Sequence, residues 1–178
     1  MAIRNDAPII QLFSFYKPNR LEKILKAMRD YSALDSNGKT LLHLAAEYTT
    51  GGLKTLLKKR AIDVNVRDSE GNTPIFYAAI SHDTQRIELL IAAGATVHLI
   101  NNSGCNCLHY ACSRHAALSQ RSFEKLLRLL AQYNLHPYAK NFQGLTPAHL
   151  ACANSNLFAI QHFVTKQFFS LEFPDGSV

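Results

Sequence analysis

Tryptophan is absent from this chain, and glycine and proline are sparse, at eight and six among 178 residues. That composition excludes a collagen-like or linker-like polymer. Charged residues make up 18% and apolar ones 47%, which excludes a disordered or low-complexity chain. No apolar run approaches the roughly 20 residues needed to span a bilayer. The opening MAIRNDAPIIQLF has neither the apolar core nor the small-residue cleavage site of a secretory signal. Only four cysteines occur (Cys105, Cys107, Cys112 and Cys152), and without an export signal they are expected as free thiols in a reducing cytosol. No Gly-rich phosphate loop, H-E-x-x-H pair, nucleophile elbow or Ser/His/Asp set is present, so no catalytic residue and no cofactor is expected.

The net charge of +6 is unevenly spread. Residues 17–60 hold ten Lys/Arg against four Asp/Glu, whereas 1–16 and 61–178 are each balanced. This excess has two readings. It is either the solvated face of two helices, or a field that draws an acidic protein, an anionic membrane or nucleic acid, with nucleic-acid or lipid binding that falls steeply with salt.

What fills the chain is repetition. DSNGKTLLHLAA at 35–46, DSEGNTPIFYAA at 68–79 and NFQGLTPAHLAC at 141–152 align without gaps, and NNSGCNCLHYAC at 101–112 fits with two substitutions. Asp35, Asp68 and Asn101 start units 33 residues apart, and Asn141 starts a fourth. Gly38, Gly71, Gly104 and Gly144 follow three residues later, where a tight turn needs positive φ. Thr40, Thr73 and Thr146 offer an oxygen to cap a first helix, with Pro74 and Pro147 in its first turn. The small pairs Ala45-Ala46, Ala78-Ala79, Ala111-Cys112 and Ala151-Cys152 suit close helix approach. Leu56-Leu57, Leu89-Leu90 and Leu129-Leu130 on second helices are predicted to face inward. One such unit cannot bury its apolar face alone, so stacking must supply the core.

The period and the Thr-Pro-Leu-His-like core resemble the ankyrin repeat, over residues 35–172. The resemblance implies an all-α ankyrin-repeat solenoid, helix-turn-helix units joined by hairpin-like turns, filling 1–178 as one domain. Its units are 35–67, 68–100, 101–140 and 141–172. Residues 1–34 read as a degenerate N-terminal capping unit, with Ile9, Ile10, Leu12, Phe13 and Phe15 on one helix and Leu21, Ile24, Leu25 and Met28 on the next.

Two places depart from the pattern. The third unit is seven residues longer than its neighbours, with the extra length expected between its helices at 113–122, as a binding loop or a plain helix extension. The chain finishes on Phe163, Val164, Phe168, Phe169, Leu171 and Phe173, apolar where a cap should be polar, before 173–178 resemble the start of a further unit or a tail. Either a longer protein continues there, the reading favoured, or the aromatic tail folds back as a cap.

His43, His109 and His149 share one slot, filled by Phe76 in the second unit, which predicts a hydrogen-bonding role between turns. Cys105, Cys107, His109, Cys112 and His115 are dense, yet their spacing is not paired C-x2-C. Cys112 should point inward and Cys105 should lie in an exposed turn, so no metal site is expected. Leu57 followed by Asp63-Val64-Asn65 is similar to ankyrin segments modified by asparaginyl hydroxylase, which makes Asn65 a candidate for hydroxylation beside its plainer role in bonding the turn.

The family resemblance implies that a protein partner lies in the concave groove, against turn tips and first-helix ends. Carried onto this chain, the binding candidates are Lys39, Tyr48, Arg67, Glu70, Asn72, Ile80, Ser81, Ile100, Asn102, Arg114, Lys140, Phe142, Gln143, Leu145 and Asn154. Tyr48, Ile80, Ile100, Phe142 and Leu145 are apolar where the fold does not require it. The expected function is a cytoplasmic protein-interaction module, monomeric unless its apolar C-terminal end self-associates, acting as an adaptor or inhibitor, or as an effector delivered into a host cytosol. No small-molecule substrate is expected. The alternative is the N-terminal targeting arm of a larger enzyme or effector.

Overall fold

A computed structural model of the chain describes residues 34–59, 62–113 and 120–165. The N-terminal unit up to residue 33, Arg60, Arg114 and the 173–178 tail fall outside those residues.

Each unit begins with a turn built by its first residue. Asp68 receives the backbone N–H of Glu70 and Asn72 on Oδ1, both at 2.9 Å, while its own N–H donates to the Asn72 carbonyl at 3.0 Å. Asp35, Asn101 and Asn141 do the same for their own turns. Two glycines show why no side chain is tolerated there. Gly71 and Gly104 sit at φ +79° and +75°, and a Cβ on either would lie 2.9 or 2.8 Å from the backbone nitrogen of the next tip, Asn102 or Phe142. That close approach lets one tip hydrogen-bond to the next: Ser69 to Asn37, Asn102 to Glu70 and Phe142 to Ser103, at 2.9–3.1 Å. Among the described residues no strand forms, only an isolated antiparallel bridge between Leu34 and Thr40.

A helix pair follows each tip. The first helices are α1 (Leu41–Tyr48), α3 (Pro74–Ile80), α5 (Cys107–Cys112) and α7 (Pro147–Ala153). The second helices are α2 (Thr50–Leu57), α4 (Thr84–Ala92), α6 (Gln120–Ala131) and α8 (Leu157–Thr165). First helices pack on first helices, α1 on α3 on α5 on α7, and α2, α4, α6 and α8 form the second layer. The small pairs sit in the first layer, where Ala45, Ala46, Ala78, Ala79, Ala111 and Cys112 are wholly buried. The core between the layers holds Leu53, Leu56, Ile75, Phe76, Ile87, Leu90, Phe123, Leu126 and Phe163. Burying each such side chain contributes roughly 1.5–3 kcal/mol. Of the leucine pairs, Leu56, Leu90 and Leu130 are buried, whereas Leu57, Leu89 and Leu129 are only half so.

Arg86 on α4 ties two units together. Its guanidinium donates to the Ala46 and Glu47 carbonyls at the end of α1, to Thr50, and to Asp83 at 2.9 Å. In the third unit part of the extra length goes into α6, twelve residues long against nine in α4.

The helix caps show one exception to the expected pattern. Thr40 and Thr146 each make a capping box in which the histidine three residues on, His43 or His149, reaches back to the cap nitrogen, and Asn106 does so with His109. Thr73 makes no side-chain cap bond, and its hydroxyl is buried without a partner. Phe76 occupies the histidine slot there and has nothing to offer it.

The cysteines need a correction too. Cys105 is not exposed but buried in its turn, with Asn141 Nδ2 3.4 Å from its sulfur. Cys107 is buried by the Val97 carbonyl, and burial pushes its thiol up to about 12 and that of Cys112 higher still. Among the described residues no three His, Cys, Asp or Glu are placed to hold a metal ion.

Candidate functional site

The turn tips and the C-terminal ends of the first helices leave a cleft of about 380 Å³ between them. Lys39 and Glu70 come to it from the first and second tips, and Ile80 from the end of α3. Tyr77 and Tyr110 complete its wall, with Asp68 and Glu47 behind. Both tyrosines stand at a repeat position that Leu44 and Leu150 fill in the outer units. The signal for them was therefore in the alignment, but the binding candidates drawn from the sequence omitted both.

A hydrogen-bonded network ties the cleft together. Tyr77 donates its hydroxyl to Asp68 Oδ2 at 2.5 Å, and Tyr110 donates to Glu70 Oε2 at 2.8 Å. Burial, and next the bond to the carboxylate, raises both phenols well above their ordinary range. Asn72 is the hub. Its Nδ2 lies 3.2, 3.0 and 2.7 Å from Asp68, Glu70 and the Tyr110 hydroxyl, and its Oδ1 accepts from Asn101 Nδ2 at 2.9 Å. Lys39 places its ammonium 4.2 Å from the centre of the Tyr77 ring and 3.9 Å from Glu47.

Asn72 corrects the sequence expectation. It is wholly buried, with its amide occupied inside the protein, so no partner reaches it. Its carbonyl accepts from His43 Nε2 at 3.1 Å, as the Leu145 carbonyl does from His109. These are the bonds between turns expected of the histidine slot, and burial holds both imidazoles below their usual pKa.

The other expected contacts divide by exposure. Tyr48 at the end of α1, Ile100 before the third tip and Phe142 on the fourth are 53%, 43% and 73% exposed. Gln143, Asn102, Lys140 and Arg67 are exposed as well, although two of them also brace the stack. Asn102 Nδ2 donates to the Ser69 carbonyl at 3.1 Å, and Arg67 to those of Gly71 and Ile100 at 3.1 and 2.9 Å. Ile80, Leu145, Ser81 and Asn154 are half-buried, the last two donating to Ala78 and Leu150 carbonyls. Asn65 is held at both ends of its amide, donating to Gly94 and accepting from the Thr96 N–H at 2.8 Å.

Stacked helix pairs with bonded tips and a side cleft define a repeat solenoid. Residues 51–118 match the family model for ankyrin repeats (3 copies). Human transient receptor potential cation channel subfamily A member 1 is 30% identical over 125 residues, 67% of this chain and 11% of that protein. Neurogenic locus notch homolog protein 1 from Mus musculus is 31% identical over 98 residues, 54% of this chain and 4% of that protein. The chain belongs to the ankyrin-repeat family. It spans about a tenth or less of the length of these relatives. Ankyrin repeats generally mediate protein–protein interaction. No helix among the described residues is long and apolar enough to cross a membrane.

Proposed function

We propose that the chain binds a partner protein through the face formed by its turn tips and first-helix ends, as a non-catalytic adaptor or inhibitor in the cytoplasm. The observation that carries this is the exposure of Tyr48, Ile100 and Phe142 on that face, at positions the stack does not need to be apolar. Aromatic and aliphatic anchors amid polar groups are what an interface hot spot is made of. Arg67 and Lys140 flank them with charge that selects among partners. The test is an affinity pulldown from eukaryotic cytosol with the wild type beside the Tyr48→Ala/Ile100→Ala/Phe142→Ala variant. Proteins lost from the variant at unchanged helical content support the reading, and identical retention by both removes it.

A second reading, the targeting arm of a larger enzyme or host-delivered effector, is favoured by the match covering only 11% and 4% of two much longer relatives. A parent reading frame with a further domain would support it. The Asn65 hydroxylation reading is tested by intact mass after treatment with an asparaginyl hydroxylase, where no added oxygen on the Asn65 peptide ends it.

A further inference from the structure

The cleft differs from the apolar anchors beside it. Its wall carries three carboxylates, Glu47, Asp68 and Glu70, against one ammonium, Lys39. Carboxylates alone make no site, and here they are unequal. Asp68 is consumed, its two oxygens receiving two backbone N–H groups, the Tyr77 hydroxyl and the Asn72 amide. Glu70 is half consumed: Oε2 accepts from Asn72 and Tyr110, while Oε1 accepts from none of the described residues. An exposed glutamate normally loses side-chain freedom when it binds, but these two bonds have already fixed this one. The Tyr77 ring already carries the Lys39 ammonium and packs edge-on against Tyr110, so the open acceptor left in the cleft is Glu70 Oε1.

We propose that this cleft takes the side chain of a lysine or arginine from the partner segment, with the cation on the open Glu70 Oε1 at the cleft mouth. The proposal rests on the groove reading above and names the partner's chemistry at one point of it. An apolar occupant would desolvate the Glu70 carboxylate with nothing in return, and an acidic one would be repelled. A metal ion finds too few open oxygens, because Asp68 has none to spare. About 380 Å³ is ample for one long side chain.

The test is a selection of random twelve-residue peptides, displayed on phage, on the immobilised full-length chain. The expected result is enrichment of peptides that pair a Lys or Arg with apolar residues. The best of them, synthesised, should lose about tenfold or more in affinity on Glu70→Gln. Tyr110→Phe, which frees Glu70 without altering its charge, should weaken the same peptide by a smaller factor, and thermal melts verify that both variants fold. Enrichment of acidic or uncharged peptides overturns the proposal, and so does unchanged affinity on Glu70→Gln. If such peptides still require Tyr48, Ile100 and Phe142, the groove stands and only the cation site falls. Peptides indifferent to all four residues, or a library from which nothing is enriched, overturn both.

Discussion

Thr40, Thr73 and Thr146 look equivalent in the sequence and are not. Two have a histidine partner in a capping box, and the third has an orphaned hydroxyl beside Phe76. A cap contributes about 1 kcal/mol, whereas an unsatisfied buried hydroxyl subtracts a similar amount. Thr40→Val and Thr146→Val should therefore each lower stability by about 1 kcal/mol, while Thr73→Val is neutral or stabilising. Urea unfolding of the three variants measures this; equal losses would show that Thr73 is satisfied after all. Histidine burial has its own signature. His43, His82 and His109 all have folded-state pKa values below the ordinary 6.5, chiefly through desolvation. The unfolded chain therefore takes up protons first. The stability that the neutral rings contribute is complete above about pH 6.5 and is lost as pH falls below it, by up to about 1.4 kcal/mol per pH unit for each ring. Unfolding midpoints at pH 7.5 and 5.5 should differ accordingly, and midpoints that do not move would mean that the rings titrate in the fold as they do in the unfolded chain.

At the scale of elements, the tips and first helices carry most of the contacts between units. Gly104 and Gly94 both have positive φ, but only Gly104 has a neighbouring tip against its missing Cβ. Gly94→Ala should lower stability by about 1 kcal/mol through backbone strain alone. Gly104→Ala should lower it by roughly 2–3 kcal/mol, since it also pushes Phe142 away. Denaturant midpoints decide it, and equal effects would mean that tip contact adds nothing. This contrast marks where sequence reading stops. A period of 33 residues, glycine spacing and proline position locate the turns and helix starts, because each is a local requirement. Thr73's missing partner was legible in Phe76, three residues on, whereas the cover over Asn72 and Cys105 comes from residues 29 to 38 positions away in the next unit. Asn72 looked like a solvent-facing tip residue, yet Asn101 and Tyr110 enclose it. The cleft was half legible: Lys39, Glu70 and Ile80 follow from position in the unit, while the two tyrosines matter only because adjacent units bring them together.

Across the whole molecule, exposure is uneven. The face with Tyr48, Ile100 and Phe142 is apolar without structural need, and the last described helix also exposes Leu157 and Val164, at 71% and 57%. The middle second-layer helices, α4 and α6, carry polar residues outward, such as Glu88 and Arg128. This asymmetry makes a binding face the central claim, and its location is the part most directly open to measurement. A photo-crosslinking residue, p-benzoylphenylalanine, placed at Phe142 in one variant and at Glu88 in another, reports which side of the stack a bound protein touches. The account predicts a crosslinked adduct in cytosolic extract from position 142 and none from 88. Adducts from 88 alone, or equally from both, would contradict it.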